Sequence, residues 1–72
     1  MNFLSNLDIQ CKDGWTALMR TCDRNNTELS KILIDNKANL DLQNKYKRTA
    51  LMLACQVSNV EIVAYMLSWL EE

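Results

Sequence analysis

The most constraining feature of this 72-residue chain is an internal repeat. Residues 16–22 read TALMRTC and residues 49–55 read TALMLAC, so the two segments lie 33 positions apart, 16 against 49. The same offset relates NLDIQ at 6–10 to NLDLQ at 39–43. Because one register holds from residue 6 to residue 67 without an insertion, we expect copies of one structural unit that stack on each other.

Each copy is predicted to contain two short helices. Leu18 and Cys22 lie four residues apart, which indicates one helix with a narrow buried stripe. The polar run at 25–27 interrupts that pattern and offers an N-cap to a second helix, with Glu28 in its first turn. Residues 39–46 alternate over short distances, which predicts an extended loop or a hairpin-like turn. The unit is therefore helix, turn, helix, loop.

The apolar residues of these helices are expected to face inwards. In the second copy the last helix is predicted to run on through Trp69. The expected buried faces are Leu29, Ile32, Leu33 and Ile34 in the first copy, and Leu51, Ala54, Cys55, Ile62, Val63, Met66 and Leu67 in the second. We also expect Met19, Met52 and Met66 to fill the core.

The size of the chain makes stacking necessary. A single domain of this length buries only roughly 60% of the surface of its unfolded chain. Helices shorter than about 12 residues are marginal in water on their own, so each copy needs a neighbour.

Charge and composition argue against several classes of protein. The chain has 8 basic and 9 acidic residues and a net charge of −1, which gives no electrostatic reason to expect nucleic acid or a membrane surface as partner. Its first residues lack the pattern of a signal peptide, and no run approaches about 18 apolar residues. We therefore expect a cytoplasmic protein.

Catalytic groups are lacking in the sequence. There is no histidine to act as a base and no glycine-rich phosphate loop, and the carboxylates are scattered one at a time. The interpretation is that the chain is not an enzyme and has no catalytic residue, cofactor or metal site.

The three cysteines are expected to be unpaired. None belongs to a C-x-x-C pair, which argues against a disulfide framework or a zinc site and favours a reducing compartment. Cys22 and Cys55 hold the same position in successive copies and are expected to be small core residues, too far apart to bond. Cys11 lies in a loop beside Lys12 and is expected to be exposed, and whether it is modified stays open.

The repeat unit resembles the ankyrin repeat over nearly the whole chain. The resemblance is carried by DGWTALM at 13–19 and by LIDNKANLD at 33–41, at the 33-residue period of that family. Thr16 and Thr49 match the threonine that caps the first helix, and Ala54 matches the small residue between paired helices. Alanine and methionine follow these threonines where the family usually has proline and histidine, and Lys37 and Lys47 stand where it usually has glycine.

The resemblance implies an all-α stack of helix-turn-helix repeats, a short solenoid with hairpin-like connecting loops. We divide it into a partial preceding repeat (1–11), a first repeat (12–44) and a second repeat (45–72). The first repeat is expected to be the weaker one, because Ser30 and Thr21 stand where the second has Val63 and Ala54.

The resemblance also implies that a protein partner is bound by the loop tips and by the exposed, concave side of each first helix. Trp15, Tyr46 and Arg48 are the expected anchors, since these residue types are enriched at the energetic centres of interfaces. The alternative is that Trp15 folds back over its own helix and Tyr46 over Leu42. The expected surface is Lys12, Asp13, Trp15, Arg20, Asp23, Arg24, Lys45, Tyr46, Arg48, Leu53, Gln56 and Val57.

A second hypothesis concerns the ends of the stack. Stable arrays generally need at least about three repeats with polar caps, and neither end here has the composition of a cap. The chain would then be a fragment of a longer array, or a homo-oligomer that associates through uncapped ends around Ser30, Tyr65 and Trp69.

Overall fold

The structure is a computed structural model that describes residues 7–71. That range contains four α-helices and no strand: α1 (Ala17–Asp23), α2 (Thr27–Asp35), α3 (Ala50–Gln56) and α4 (Val60–Leu70). Helix α1 packs against α2 and α3, and α4 packs against α3 and α2. Two helix pairs therefore stack as the repeat predicts, with α1 and α3 in an inner layer and α2 and α4 in an outer layer. The expected all-α repeat stack is confirmed.

Every helix begins after a capping side chain. In all four, a side-chain oxygen accepts a hydrogen bond from the backbone N–H three residues further on, at 3.0 to 3.3 Å. Such a cap stabilises a helix by about 1 kcal/mol. The capping residues are Thr16, Asn26, Thr49 and Asn59.

Three helices end in a left-handed residue that is not glycine. After α2, Lys37 has a φ of 68° and its N–H donates to the carbonyl of Ile34, while the N–H of Ala38 donates to the carbonyl of Leu33. This is the Schellman pattern, in which glycine is the favoured left-handed residue. Asn25 and Ser58 end α1 and α3 in the same way, with φ values of 62° and 59°.

Replacing Lys37 with glycine is expected to stabilise the protein by about 0.5 to 1 kcal/mol, because a Cβ disfavours the left-handed conformation. Lys37→Ala is the matched control: it removes the charge but keeps the Cβ, and should change stability by less than about 0.5 kcal/mol. Urea denaturation followed by circular dichroism measures both variants. Equal stabilisation by the two would show that charge, and not backbone strain, is what matters.

The core lies between the two helix pairs and draws on both copies. Ala54 is fully buried where the paired helices approach, as expected from its small size. Polar side chains also link the copies in the outer layer, where Lys31 forms an ion pair with Glu61 and the Tyr65 hydroxyl donates to Asp35. The buried apolar residues are Leu18, Met19, Cys22, Ile34, Ala38, Ala50, Leu53, Ala54, Ile62 and Met66.

Three residues of the second copy are exposed where burial was predicted. Met52 is half exposed, and Cys55 and Leu67 are exposed as well. Their counterparts in the first copy, 33 positions earlier, are buried because α3 and α4 cover them. Within the described residues no helix pair covers the same face of the second copy. Those predictions were therefore wrong, although the repeat on which they rested is confirmed.

The opposite face of the first copy shows the same effect. Leu29 is 42% exposed, while its counterpart Ile62 is fully buried against the first copy. Ile32 is also exposed, Leu33 is partly buried, and only Ile34 of the predicted face of α2 is fully buried. Burial in a stack depends on which side carries a neighbour, which periodicity within one copy does not specify.

Ser30 is buried, so its predicted place on an exposed end surface was wrong. Its hydroxyl donates to Thr21 Oγ1 at 2.8 Å, and the Thr21 hydroxyl donates to the carbonyl of Leu18 at 2.9 Å. The two polar residues of the first copy therefore satisfy each other inside the core. That the first copy is the weaker one stays a prediction.

Candidate functional site

Two loop tips project side by side from the inner layer. In the first tip (11–15), the N–H of Cys11 donates to the carbonyl of Trp15 at 3.0 Å, and the second tip (44–48) closes the same way from Asn44 to Arg48 at 3.1 Å. The predicted hairpin-like loops thus form as tight turns within a range that has no strand. The backbone N–H of Lys45 donates to the carbonyl of Asp13 at 2.9 Å, and Lys45 Nζ lies 3.2 Å from the Asp13 carboxylate. These two contacts join the tips.

In each tip, the first side chain accepts hydrogen bonds that keep the turn closed. Asn44 Oδ1 accepts from the N–H groups of Tyr46 and Arg48 at 2.8 and 3.2 Å, which holds the second tip closed. Asn44 was not among the predicted site residues. The repeat offset pairs it with Cys11, 44 against 11, and that pairing is the signal from which its role in the tip could have been found.

Cys11 holds the first tip in the same manner. Its Sγ accepts from the backbone N–H groups of Asp13 and Trp15, and these hydrogen bonds lower the pKa of the thiol. The Arg20 guanidinium lies 3.9 Å from Sγ and acts in the same direction. Cys11 is exposed, as predicted, whereas burial raises the pKa of Cys22. A thiolate is therefore favoured at Cys11 and disfavoured at Cys22.

Cys11 is expected to react with iodoacetamide faster than the other two cysteines near neutral pH, since the thiolate is the nucleophile. Because its pKa is lowered, its rate should level off at a lower pH than that of an unfolded control peptide. Mass spectrometry of time-quenched samples measures the three rates, with Cys22 expected to be the slowest. Arg20→Gln keeps the backbone donors and should reduce the rate at Cys11 only in part. A rate at Cys11 that matches the peptide at every pH would contradict the prediction.

A pocket of about 340 Å³ opens between the tips and the inner layer. It brings together six of the predicted surface residues, drawn from both tips, from the end of α1 and from α3. Asn44 contributes a wall that was not predicted. The lining residues are Trp15, Asp23, Asn44, Tyr46, Arg48, Leu53 and Gln56.

The predicted exposure of Leu53 was wrong. It was expected to be exposed on the concave face, but only 3% of it is exposed and it belongs to the core. Helix α1 covers this side of α3, whereas the counterpart Arg20 has no helix over it in the described structure and is exposed. Leu53 therefore supplies an apolar lining to the pocket rather than a surface contact. Beside it, Arg48 Nη1 donates to Gln56 Oε1 at 2.6 Å.

The aromatic anchors differ in exposure. Trp15 is partly buried against the core and carries the Arg20 guanidinium 5.6 Å from its ring centroid, so it partly folds back while still lining the pocket. Tyr46 is 60% exposed, with Lys45 Nζ 5.2 Å from its ring centroid. Both cations are held over aromatic faces, a geometry that stabilises by about 0.5 to 1 kcal/mol at exposed sites.

Comparison with known families agrees with this architecture. The sequence profile described as Ankyrin repeats (3 copies) matches residues 1–71. The chain belongs to the ankyrin repeat family. Ankyrin repeats are in general protein–protein interaction modules. A search of curated proteins finds no match to this sequence.

Six predicted residues of this ankyrin chain lie outside the pocket lining: Lys12, Asp13, Arg20, Arg24, Lys45 and Val57. Lys12 is exposed in the first tip, and Arg24 is exposed at the C-cap of α1. Val57, at the C-cap of α3, is partly buried and also does not line the pocket. They flank the pocket along the chain rather than form it.

The described part of this ankyrin chain gives no sign of a metal site. Within residues 7–71, no three side chains of histidine, cysteine, aspartate or glutamate are grouped so as to hold an ion. No helix in the same range has the length and apolar character needed to cross a membrane.

Proposed function

We propose that this ankyrin chain is a non-catalytic, cytoplasmic module that binds a protein partner through its loop tips and the concave face of its inner layer. The pocket between the tips is the observation that carries the proposal. It joins Trp15, Tyr46 and Arg48, which come from two different copies, into one concave surface. No cofactor takes part in this function.

The composition of the pocket supports protein binding. Tyrosine, tryptophan and arginine are over-represented among residues that dominate binding energy, particularly where they surround a small apolar pocket. Here two aromatic walls and an arginine surround the buried Leu53. The ion pair between Lys45 and Asp13 and the capped helices hold these groups before binding, which reduces the entropy lost on association.

Site-specific photo-crosslinking tests the proposal. A benzophenone amino acid in place of Tyr46 is expected to capture a discrete protein in an extract of the source organism. The same amino acid in place of Val60, which is highly exposed on the outer layer, is the matched control and should capture nothing discrete. Capture from position 60 alone, or from neither position, would contradict binding through the tips.

A second candidate function is association of copies end to end. The observation that favours it is the exposed face formed by Met52, Cys55 and Leu67, whose counterparts in the first copy are buried by a helix pair. A second copy of the chain would cover this face with its own helices. The interface would continue the stacking already seen between the two copies.

Sedimentation equilibrium over a wide concentration range tests this second function. If the copies stack end to end, the wild-type chain should associate and Met52→Lys should stay monomeric, because a charge on the exposed face opposes burial. Val60→Lys, on another exposed apolar residue, should associate like the wild type. A folded wild-type monomer at every concentration would exclude end-to-end association.

A further inference from the structure

The small net charge of the chain conceals a segregation of charge between its two layers. Six of its eight basic residues lie in the tips or on the inner layer: Lys12, Arg20, Arg24, Lys45, Lys47 and Arg48. Among the described acidic residues, only Asp13 and Asp23 lie there. Asp8 lies in the segment before the first tip, and the others belong to the outer helices, their ends and the loop that follows α2: Glu28, Asp35, Asp41, Glu61 and Glu71. The tips and the inner helices therefore carry six basic residues against two acidic ones, an excess of positive charge that the net charge of the chain does not show.

This segregation of charge changes the charge that we expect of a partner. A net charge of −1 gives no reason to expect an anionic ligand, but a partner meets one face rather than the whole surface. A face on which one sign of charge predominates attracts the opposite sign and raises the rate of association. The face that carries the pocket is the positive one.

A buried hydrogen-bond donor in the pocket wall lacks an acceptor within residues 7–71, which also favours a ligand that carries acceptor oxygens. Asn44 is only 4% exposed, and its Nδ2 has no hydrogen-bond partner among the described residues, because its Oδ1 holds the tip closed. An amide N–H can only donate, and a buried donor without an acceptor destabilises the protein that carries it. An acceptor brought by a partner, as the pocket walls adjust around it, would remove that cost.

Two observations favour a protein over a nucleic acid as the source of the negative charge. Asp13 and Asp23 stand among the basic residues, so a phosphate backbone with a charge on every nucleotide would meet them, whereas a single carboxylate directed at Arg48 need not. The pocket is also a local depression with both apolar and polar walls, which suits a side chain with an apolar stem and a carboxylate end better than an extended backbone.

We propose that the partner presents an acidic protein segment to the tip side, with a glutamate or aspartate side chain seated in the pocket between Trp15, Tyr46 and Arg48. This proposal rests on the proposed function and specifies the chemistry of the partner. The carboxylate accepts hydrogen bonds from Arg48 and Asn44, and its methylene stem packs on Leu53.

Titration of the full isotope-labelled chain tests the proposal by nuclear magnetic resonance. The probes are a glutamate-rich peptide, the same peptide with glutamine at every glutamate, and a single-stranded DNA oligonucleotide of equal charge. We expect the glutamate peptide to shift the resonances of the Asn44 side-chain amide and the Trp15 indole. The glutamine peptide should bind at least about tenfold more weakly. Added salt should weaken the binding of the glutamate peptide.

Two charge-matched variants locate the effect. Arg48→Gln is expected to weaken the binding of the glutamate peptide by about tenfold, because it removes a charge-assisted hydrogen bond. Lys37→Gln removes the same charge from the outer layer and should leave binding unchanged. Circular dichroism of both variants establishes that they remain folded.

Several results would overturn the proposal: no binding of the glutamate peptide, equal binding of both peptides, tighter binding of the oligonucleotide, or equal loss in the two variants. The crosslinking experiment separates this failure from that of the proposed function. If a partner is captured at position 46 through a neutral or basic segment, binding through the tips stands and the acidic ligand is rejected. Capture at neither position would reject both.

Discussion

Ile62→Ala is expected to destabilise the protein by about 2 to 5 kcal/mol, because it leaves a cavity at a fully buried position. Helix α4 packs against both α2 and α3, so this loss weakens the contact between the copies as well as the contact within the second copy. Small domains have only about 5 to 15 kcal/mol of stability in total. Urea denaturation followed by circular dichroism measures the change, and a sizeable unfolded fraction in water is the expected outcome.

The repeat supplies an internal control for this variant. Leu29 holds the same position in the first copy but is 42% exposed, so Leu29→Ala should cost less than about 1 kcal/mol. Similar losses at the two positions would mean that the face of the first copy bearing Leu29 is covered in solution. Such a result would favour the association of copies over an isolated monomer.

Gly14→Ala is expected to destabilise the protein by roughly 1 to 3 kcal/mol and to separate the two tips. Gly14 has a φ of 83°, and an added Cβ would lie 2.9 Å from the Cα of Asn44 and 3.1 Å from the backbone nitrogen of Lys45. Both atoms belong to the backbone of the second tip and cannot move aside like a flexible side chain. Thermal denaturation measures the loss, and changes at the Lys45 amide report the separation.

Lys47→Ala is the matched control for the glycine variant. Lys47 is the counterpart of Gly14 and adopts the same left-handed conformation, with a φ of 65°, but it already carries a Cβ. Its replacement by alanine should therefore change stability by less than about 0.5 kcal/mol. If Gly14→Ala were as mild as this control, close approach of the tips would not be what requires glycine.

The candidate site was only partly predictable from the sequence. Resemblance to ankyrin repeats assigned the tips and the exposed sides of the first helices, and the structure brings six of those residues to one pocket. Asn44 was missed because a buried asparagine that closes a turn looks like any loop asparagine in the sequence. The burial of its Nδ2 without a hydrogen-bond acceptor in the described part of the chain is a result of tertiary packing, which the sequence does not show.

The sequence by itself determined the units of this protein. An offset of 33 residues, threonine and asparagine before the helices, and short apolar stripes specify two helix pairs that must stack, since these signals depend on residues close together in the chain. The left-handed turns at Lys37 and Lys47 also follow from local position, because the family usually has glycine there.

Only the tertiary structure decided which member of each repeated pair is buried and what the tips enclose. Met19 and Met52, or Leu29 and Ile62, are equivalent in sequence but differ in exposure, because a neighbouring helix pair covers only one of each pair. Leu53 entered the core for the same reason. The positive face likewise depends on layers that fold from alternating segments of the chain. Burial and surface charge are properties of neighbours in space, and a repeat in one dimension does not specify them.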